Sequence, residues 1–294
     1  MIRLTVFTPA YNRLHTLPRL YESLCKQTSK EFIWMVIDDG STDGTREYME
    51  NLIKEESEFE IQYLYKANGG MHTAHNTAYR NIETELCVCI DSDDAMPKET
   101  VQMILDQWQK KGSKNVAGLI GLDRDMNTGE IIGKGFPEGL KQTTLGGYYA
   151  NGGRGDKKLV YRTELMKSLP EYPEFEGEKY VGLAYKYTLA DQLMPLVVVN
   201  EVLCDVEYQP DGSTNSMYKA YLNNPKGFAF FRLNALKYPV SRKRKVIDCI
   251  HYCSSSQIAG EKGYVQKSPC PMLTGLCVPA GHLLTAYIRH KAHQ

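Results

Sequence analysis

The first 95 residues alternate between short apolar runs and segments of helical period, and few folds accept that pattern. Residues 4–8 and 33–38 read as buried strands, the first suited to burial on both faces, and residues 61–65 and 86–90 as a third and fourth strand. Between them, residues 14–25 repeat leucine at 14, 17, 20 and 24, Asp43 can cap a helix over Thr45–Lys54, and a third helix is expected over residues 73–81. Such strand–helix–strand units close right-handed crossovers into a parallel sheet flanked by helices, an α/β fold. In such a sheet ligands bind beyond the carboxyl ends of the strands. Polar clusters stand at those ends: residues 8–13, 38–43, 66–70 and 91–94.

The rest of the chain is less regular. Strands are expected at residues 116–122, 158–161 and 196–202, and a helix over 179–190. Dense glycine in residues 129–155 predicts mobile loops. Tyr148, Tyr149, Tyr161, Tyr172, Tyr180, Tyr185 and Tyr187 form either a stacking surface for sugars or a chance cluster in a chain of 20 tyrosines. Beyond residue 215 the chain reads helical to its end.

Lys and Arg number 35, as do Asp and Glu, so the formal charge is zero and a generally basic nucleic-acid binder is excluded. The zero hides an asymmetry. Residues 227–294 hold ten cations against Asp248 and Glu261, a net of +8, and residues 1–226 carry the compensating −8. An acidic body with a basic tail implies two kinds of partner: cations or metal-bound ligands for the body, something anionic for the tail. The first twelve residues lack the charged start and apolar core of a signal peptide, so the eight cysteines are expected as reduced thiols in a cytosolic setting. Cys249, Cys253, Cys270 and Cys277 include no C-x-x-C pair, which favours buried or membrane-facing thiols over zinc.

Two clusters carry chemistry. Residues 87–94 read Cys-Val-Cys-Ile-Asp-Ser-Asp-Asp, an apolar strand delivering Asp91, Asp93 and Asp94 to a sheet edge. Carboxylates so close repel one another, and a hard divalent cation, Mg²⁺ or Mn²⁺, relieves the repulsion; a capped turn of solvated acids is the plainer reading. An EF-hand loop is excluded because Met96 stands where its sharp turn needs glycine. The second cluster, Val36-Ile-Asp38-Asp39-Gly-Ser-Thr-Asp43, ends another apolar strand, and an Asp fixed there can accept from a pyrimidine imide or from ribose hydroxyls.

Taken together, Thr8-Pro-Ala-Tyr-Asn12-Arg13, Val36 to Asp43, Asn68-Gly-Gly with Ala74-His-Asn76, and Asp91-Ser-Asp93-Asp94 resemble glycosyltransferase family 2, enzymes of the GT-A fold that use nucleotide sugars. The four blocks occur in order over residues 1–95. The resemblance implies that Thr8, Ala10, Tyr11, Arg13, Asp39, Asn68, Gly70, Asn76, Asp91 and Ser92 bind a nucleotide-sugar donor, expected to be UDP-linked because a pyrimidine suits Asp39. It implies that Asp91-Ser-Asp93 is the DxD motif, with Asp93 the direct metal ligand and Asp91 a metal or ribose partner. Inversion by single displacement needs a carboxylate to take the acceptor's proton. Glu178, at the expected helix start, fills that role, with Glu176 second; electrostatic support of the helix start is the plainer reading of Glu178. The Gln-x-x-Arg-Trp motif of processive members is missing, since tryptophan occurs only at 34 and 108, so one sugar is added per acceptor. The competing readings are a sugar-phosphate nucleotidyltransferase, which wants a Gly-rich loop with Arg and Lys after the first strand, and a catalytically dead sugar-binding module.

The expected organisation is a catalytic domain over 1–212, with a nucleotide-sugar and metal half (1–95) and an acceptor half (96–212), then a helical basic extension over 213–294. Phe228, Phe230 and Phe231 precede Arg242, Lys243, Arg244 and Lys245, and residues 272–288 contain no Asp, Glu, Lys or Arg. This predicts a tail lying on an anionic membrane, or else packed on the catalytic domain or in a homodimer through the C-terminal helices. Expected partners are therefore the donor, a glycan or lipid-linked saccharide acceptor, and the inner face of the cell membrane, in bacterial capsule, cell-wall or other surface-polysaccharide assembly.

Overall fold

The structure, a computed structural model, describes residues 2–55, 58–208, 217–239 and 241–292. The chain divides into two compact units: Met1–Pro170 with Leu189–Gln209, and Glu171–Thr188 with Pro210–Gln294. The boundary expected at 212/213 lies outside the described residues.

The first unit is built on β1 (Leu4–Ala10), α1 (Leu17–Cys25), β2 (Phe32–Asp38), α2 (Thr45–Lys54), β3 (Glu60–Tyr65), α3 (Met71–Asn81), β4 (Leu86–Cys89), α4 (Thr100–Lys111), β5 (Gly118–Asp125), β6 (Gln142–Thr143), α5 (Leu145–Ala150), β7 (Lys157–Arg162) and α6 (Thr163–Ser168). After α7 (Ala184–Asp191) it is completed by β8 (Leu196–Val206). The eight strands form one sheet in the order β3-β2-β1-β4-β7-β5-β8-β6. β1 to β4 are mutually parallel, β7 is antiparallel to both β4 and β5, β8 is parallel to β5, and β6 is antiparallel to β8. All seven residues of β1 are buried, as the apolar run requires of a central strand. Pro9, which has no N–H for a ladder, lies past the last pair with β4, Phe7 opposite Cys89. Leu17, Leu20 and Leu24 of α1 pack with Trp34, Met49, Ile104 and Trp108 into one core.

The order β3-β2-β1-β4 sends the chain to opposite sides of β1, so the carboxyl ends of β1 and β4 flank a switch in winding direction, the place where open α/β sheets take ligands. The DxD sequence leaves β4 at this point.

Several expectations are corrected by packing. α1 starts at Leu17 because Arg13 O accepts from Thr16 N and Leu17 N in a separate turn. The helix expected from 179 begins at Ala184. α4, not anticipated, shows Val101, Ile104, Leu105 and Trp108 buried at helical spacing. The glycine-rich stretch is pinned rather than loose. Lys157 Nζ donates to the carbonyls of Ile132, Arg154 and Asp156 at 2.9–3.2 Å, and Tyr148 OH donates to Lys134 O at 2.7 Å. Gly133 has φ +76°, and a Cβ there would stand 2.1 Å from Arg154 O. Tyr148, Tyr161, Tyr172 and Tyr185 are buried, so most of the tyrosine cluster is interior packing; Tyr149 is exposed.

The second unit contains α8 (Met217–Asn223), α9 (Pro225–Ala235), α10 (Arg242–Ile258), α11 (Tyr264–Lys267) and α12 (Pro271–Ala292). α9, α10 and α12 share a core of Ala229, Leu236, Cys249, Tyr252, Cys253 and Cys277. Arg232 Nη1 meets Asp248 Oδ1 at 2.7 Å in this interior. Cys249 and Cys270 face each other with sulfurs 3.6 Å apart, as free thiols. Burial, with the Arg232 cation second, pushes His251 down to about 4. A histidine held neutral in the native state loses stability as pH falls from its unfolded value near 6.5 toward 4. The expected loss at pH 5 is about 1–2 kcal/mol from this residue. His251→Phe should therefore shrink the difference in urea stability between pH 7 and pH 5 by that amount.

Candidate active site

Three loops at the carboxyl ends of β1, β2 and β3 are tied to one another. Asn12, with φ +53°, accepts Thr42 N on its Oδ1 at 2.8 Å, and its own N–H donates to Ser41 Oγ at 2.9 Å. Asp39 N donates to Ala10 O at 2.8 Å. Asp39 is 4% exposed and its carboxylate is the organiser of the β3–α3 loop. Oδ1 accepts Lys66 Nζ at 2.6 Å and Gly69 N at 2.9 Å; Oδ2 accepts Gly70 N at 2.7 Å and Asn68 Nδ2 at 3.3 Å. Gly40 and Gly70 have φ +84° and +93°, and a Cβ on Gly40 would lie 2.8 Å from Asn68 N. The second block thus needs its glycine so that the β2–α2 turn can meet the β3–α3 loop.

Loss of this carboxylate leaves the Gly69 and Gly70 amides without their acceptor, while half-buried Lys66 keeps Ala67 O and Thr73 Oγ1. Asp39→Ala is expected to cost about 2–4 kcal/mol, read as a fall of roughly 8 °C in Tm by calorimetry. Asp39→Asn keeps an acceptor and should cost less.

The other expected donor residues fall around the same edge. Thr8 is buried, its Oγ1 accepting Trp34 Nε1 at 3.1 Å. Ala10 is buried, Tyr11 is 49% exposed beside it, and Arg13 is half-buried. Asn76 is buried in α3. His75, one residue before it, packs edge-on against Phe7 with centroids 5.0 Å apart, and its Nε2 lies 3.7 Å from Cys89 Sγ.

The DxD turn is held from several sides. Asp94 N donates to Asp91 O at 3.0 Å, Ala95 and Asp205 exchange backbone hydrogen bonds at 2.8 and 2.9 Å, and Arg19 donates to the Asp93 carbonyl while pairing with Glu207 at 2.7 Å. Asp94 is buried and turned inward: Oδ2 accepts Cys204 Sγ at 3.4 Å and lies 3.7 Å from Lys158 Nζ, while Oδ1 accepts Glu207 N at 3.3 Å. Of the three carboxylates, then, Asp94 is structural, while Asp91 and Asp93 are half-buried at the edge, next to Ser92, which is buried. Burial, then the neighbouring Asp91, raises the pKa of Asp93 above the usual carboxylate value. Burial likewise lifts Asp94 to about 7 and Asp123 to about 6, against the Lys158 cation. Asp123 Oδ1 is buried without a hydrogen-bond partner. The supporting roles of Arg19, Lys158, Asp123 and Glu207 have no motif of their own; only their charge in otherwise apolar strand contexts could have marked Lys158 and Asp123.

A cavity of about 680 Å³ lies at the opposite, amino-terminal edge, lined by Arg3, Glu85, Trp108 and Arg162. Its acids are Glu83, Glu85 and Glu164, and none of the expected donor or metal residues lines it. Among the described residues no group of three or more His, Cys, Asp or Glu is placed to hold a metal ion. Two half-buried neighbouring carboxylates nevertheless fit a hard cation whose remaining positions are filled by a ligand's oxygens.

In the second unit, both oxygens of Glu178 accept from the first turn of α9, Lys226 N at 3.0 Å and Gly227 N at 2.8 Å. Glu176 is exposed. Arg242 and Lys243 are exposed, Lys245 is half-buried, and Arg244 Nε pairs with Asp248 Oδ2 at 3.2 Å. The phenylalanines expected beside these cations are turned to other work. Phe228 is buried, Phe230 packs against Tyr185 with centroids 4.9 Å apart, and Phe231 lies against Gly182.

The sequence profile of Glycosyl transferase family 2 matches residues 5–165. The chain is 33% identical over 198 residues to glycosyltransferase GlyA of Streptococcus pneumoniae, covering 65% of this chain and 25% of that protein. It is 27% identical over 106 residues to undecaprenyl-phosphate 4-deoxy-4-formamido-L-arabinose transferase of Proteus mirabilis, covering 35% of this chain and 32% of that protein. It thus spans only a quarter to a third of these relatives. Among solved structures, S. aureus TarS 1–349 in complex with UDP-GlcNAc matches with a TM-score of 0.60 at 17% identity, over 98% of this chain and 92% of that one. The mannosyltransferase PcManGT of Pyrobaculum calidifontis, in complex with GDP-Man and Mn²⁺, matches with 0.56 at 14% identity, over 99% and 83%. The fold is accordingly GT-A-like, as the sequence blocks imply.

Proposed function

Because the chain belongs to glycosyl transferase family 2, we propose that it is an inverting, metal-dependent, non-processive glycosyltransferase that moves a sugar from a nucleotide donor to a hydroxyl of a glycan or lipid-linked saccharide. The observation that carries this reading is the pair Asp91 and Asp93, presented half-buried at the carboxyl end of β4 while Asp94 anchors their turn inward. The family match also disfavours the nucleotidyltransferase alternative.

In this reading Thr8, Ala10, Tyr11 and Arg13 line the base and ribose of the donor, with Asn68, Gly70, Asn76 and Ser92 shaping the floor. Asp39 serves mainly by fixing the β3–α3 loop; an imide N–H reaching it would exchange with one of its four present donors. Asp93, assisted by Asp91, would hold Mn²⁺ or Mg²⁺. When bound, that cation neutralises charge on the leaving diphosphate. Glu178 takes the proton of the acceptor hydroxyl, its backbone donors orienting the carboxylate, with Glu176 the second candidate. The likeness to an undecaprenyl-phosphate sugar transferase supports a lipid-linked acceptor of the kind used in surface-polysaccharide or cell-wall assembly. The enzyme would work at the inner face of the membrane, held there by its cationic C-terminal unit.

The experiment is release of nucleoside diphosphate from UDP- and GDP-sugars with added Mn²⁺. Turnover of at least one donor, abolished by EDTA, is expected; no release from any donor would favour the catalytically dead sugar-binding module.

A further inference from the structure

One face of α12 is packed and the other is bare. Thr274, Cys277, Gly281, Thr285 and Ile288 are buried. Ser254 Oγ and Thr285 Oγ1 are 3.0 Å apart, Cys253 Sγ donates to Thr274 O at 3.5 Å, and a Cβ on Gly281 would lie 2.5 Å from Cys253 Cβ. On the far side, Met272 is 88% exposed, Leu276 80%, Leu283 74% and Tyr287 48%. Steps of four, seven and four residues place them on one stripe, which also carries Pro279 and Ala286, both on the exposed side of the helix. Elsewhere among the described residues no large apolar side chain exceeds 57% exposure.

Charge says what covers the stripe. Residues 262–294 contain no Asp or Glu. Lys262 and Lys267 are exposed just before α12, and Arg289 is exposed in its last turn. The first turn of α10 holds Arg242, Lys243, Arg244 and Lys245 at the positive end of the helix dipole, where cations oppose folding. Arg244 is answered by Asp248, while Arg242 and Lys243 are exposed, where an anionic partner would offset that cost. A second copy of α12 would bring cations against cations in either orientation, since the segment offers no acid in return. Spanning is also disfavoured. At 22 residues α12 is long enough, but its inner face is bonded to α10 and Pro279 interrupts it.

We propose that the Met272–Leu276–Leu283–Tyr287 stripe lies in the headgroup–acyl boundary of an anionic bilayer, with α12 parallel to the surface and cations at both ends against the headgroups. This rests on the membrane-peripheral part of the reading above and replaces the phenylalanines of α9 with α12 as its apolar element.

The test is co-sedimentation of the full chain with phosphatidylcholine vesicles, with and without phosphatidylglycerol. Wild type should pellet with the anionic vesicles and stay in solution with the neutral ones. Leu276→Glu with Leu283→Glu should weaken pelleting by at least about a hundredfold at every salt concentration, from the lost apolar burial. Gln at 242, 243, 244 and 245 should weaken it by about a hundredfold or more at low salt, at roughly 1 kcal/mol per cation, and flatten the salt dependence. The increase in thermal stability brought by nucleotide sugar with Mn²⁺ should be unchanged in both variants, which separates failure of this proposal from failure of the glycosyltransferase reading. Equal pelleting of wild type and the double-Glu variant overturns the proposal. So does a lipid-free dimer, seen by sedimentation velocity, that the double-Glu variant converts to monomer.

Discussion

Asp93→Asn lowers sugar transfer by at least about a thousandfold, the several kcal/mol that a Lewis-acidic cation supplies to a leaving diphosphate, while the fold becomes more stable. Both halves of the expectation come from one geometry. Asp93 stands half-buried beside Asp91, and burial followed by that like charge raises its pKa. A carboxyl group raised in the native state costs stability at every pH where it is ionised, so neutral Asn removes a penalty. The backbone grip on the turn, from Arg19 and from the Ala95–Asp205 pair, does not use the side chain and survives. Calorimetry and initial rates on the same preparation check both effects. Normal activity in the Asn variant would sink the metal assignment. A large fall in Tm would show that the carboxylate holds the turn instead.

Glu178→Gln should reduce turnover by about 10²–10⁴, the usual worth of a general base, with the donor bound as before. A second, smaller effect accompanies it. Gln offers one oxygen where Glu178 offers two to Lys226 N and Gly227 N, so the start of α9 loses a cap worth about 1 kcal/mol. The two effects can be told apart by measuring turnover well below the unfolding transition. If turnover stays at the wild-type level while Tm falls, Glu178 is a helix cap only. If Glu176→Gln then shows the kinetic loss, the base is the exposed neighbour.

How far these residues could be read from sequence depends on what holds them. The ends of β1, β2 and β4 were legible because these strands are buried on both faces, and a doubly buried strand writes itself as an unbroken apolar run such as residues 32–38. The DxD turn was legible for the same reason: three acids following residues 86–90 have no apolar rationale. The division of labour among those acids was not, because it is set by contacts far away in sequence, Cys204, Glu207 and Lys158 with Asp94. Asp39 illustrates the same limit. Its position at a strand end was visible, but its four donors come from residues 66–70, a loop whose approach depends on Gly40 and Gly70. The glycines of residues 129–155 misled in the opposite direction. They admit close backbone contact and left-handed φ for a packed segment, and composition alone reads that as mobility. In the tail, the phenylalanines of α9 and the leucines of α12 look alike in sequence, and only helix packing decides which face the solvent.

The central claim, that Asp91 and Asp93 bind a nucleotide diphosphate through a divalent cation, is tested most directly by titrating UDP and GDP into the wild-type protein by calorimetry, with Mn²⁺ and with EDTA. A ligand that binds only the folded state also raises Tm by mass action. The expected result is saturable binding of one nucleotide with Mn²⁺, weakened at least about tenfold by EDTA and equally weak in Asp93→Asn with or without the metal. Binding of equal strength under all these conditions, or no binding of either nucleotide, would contradict it.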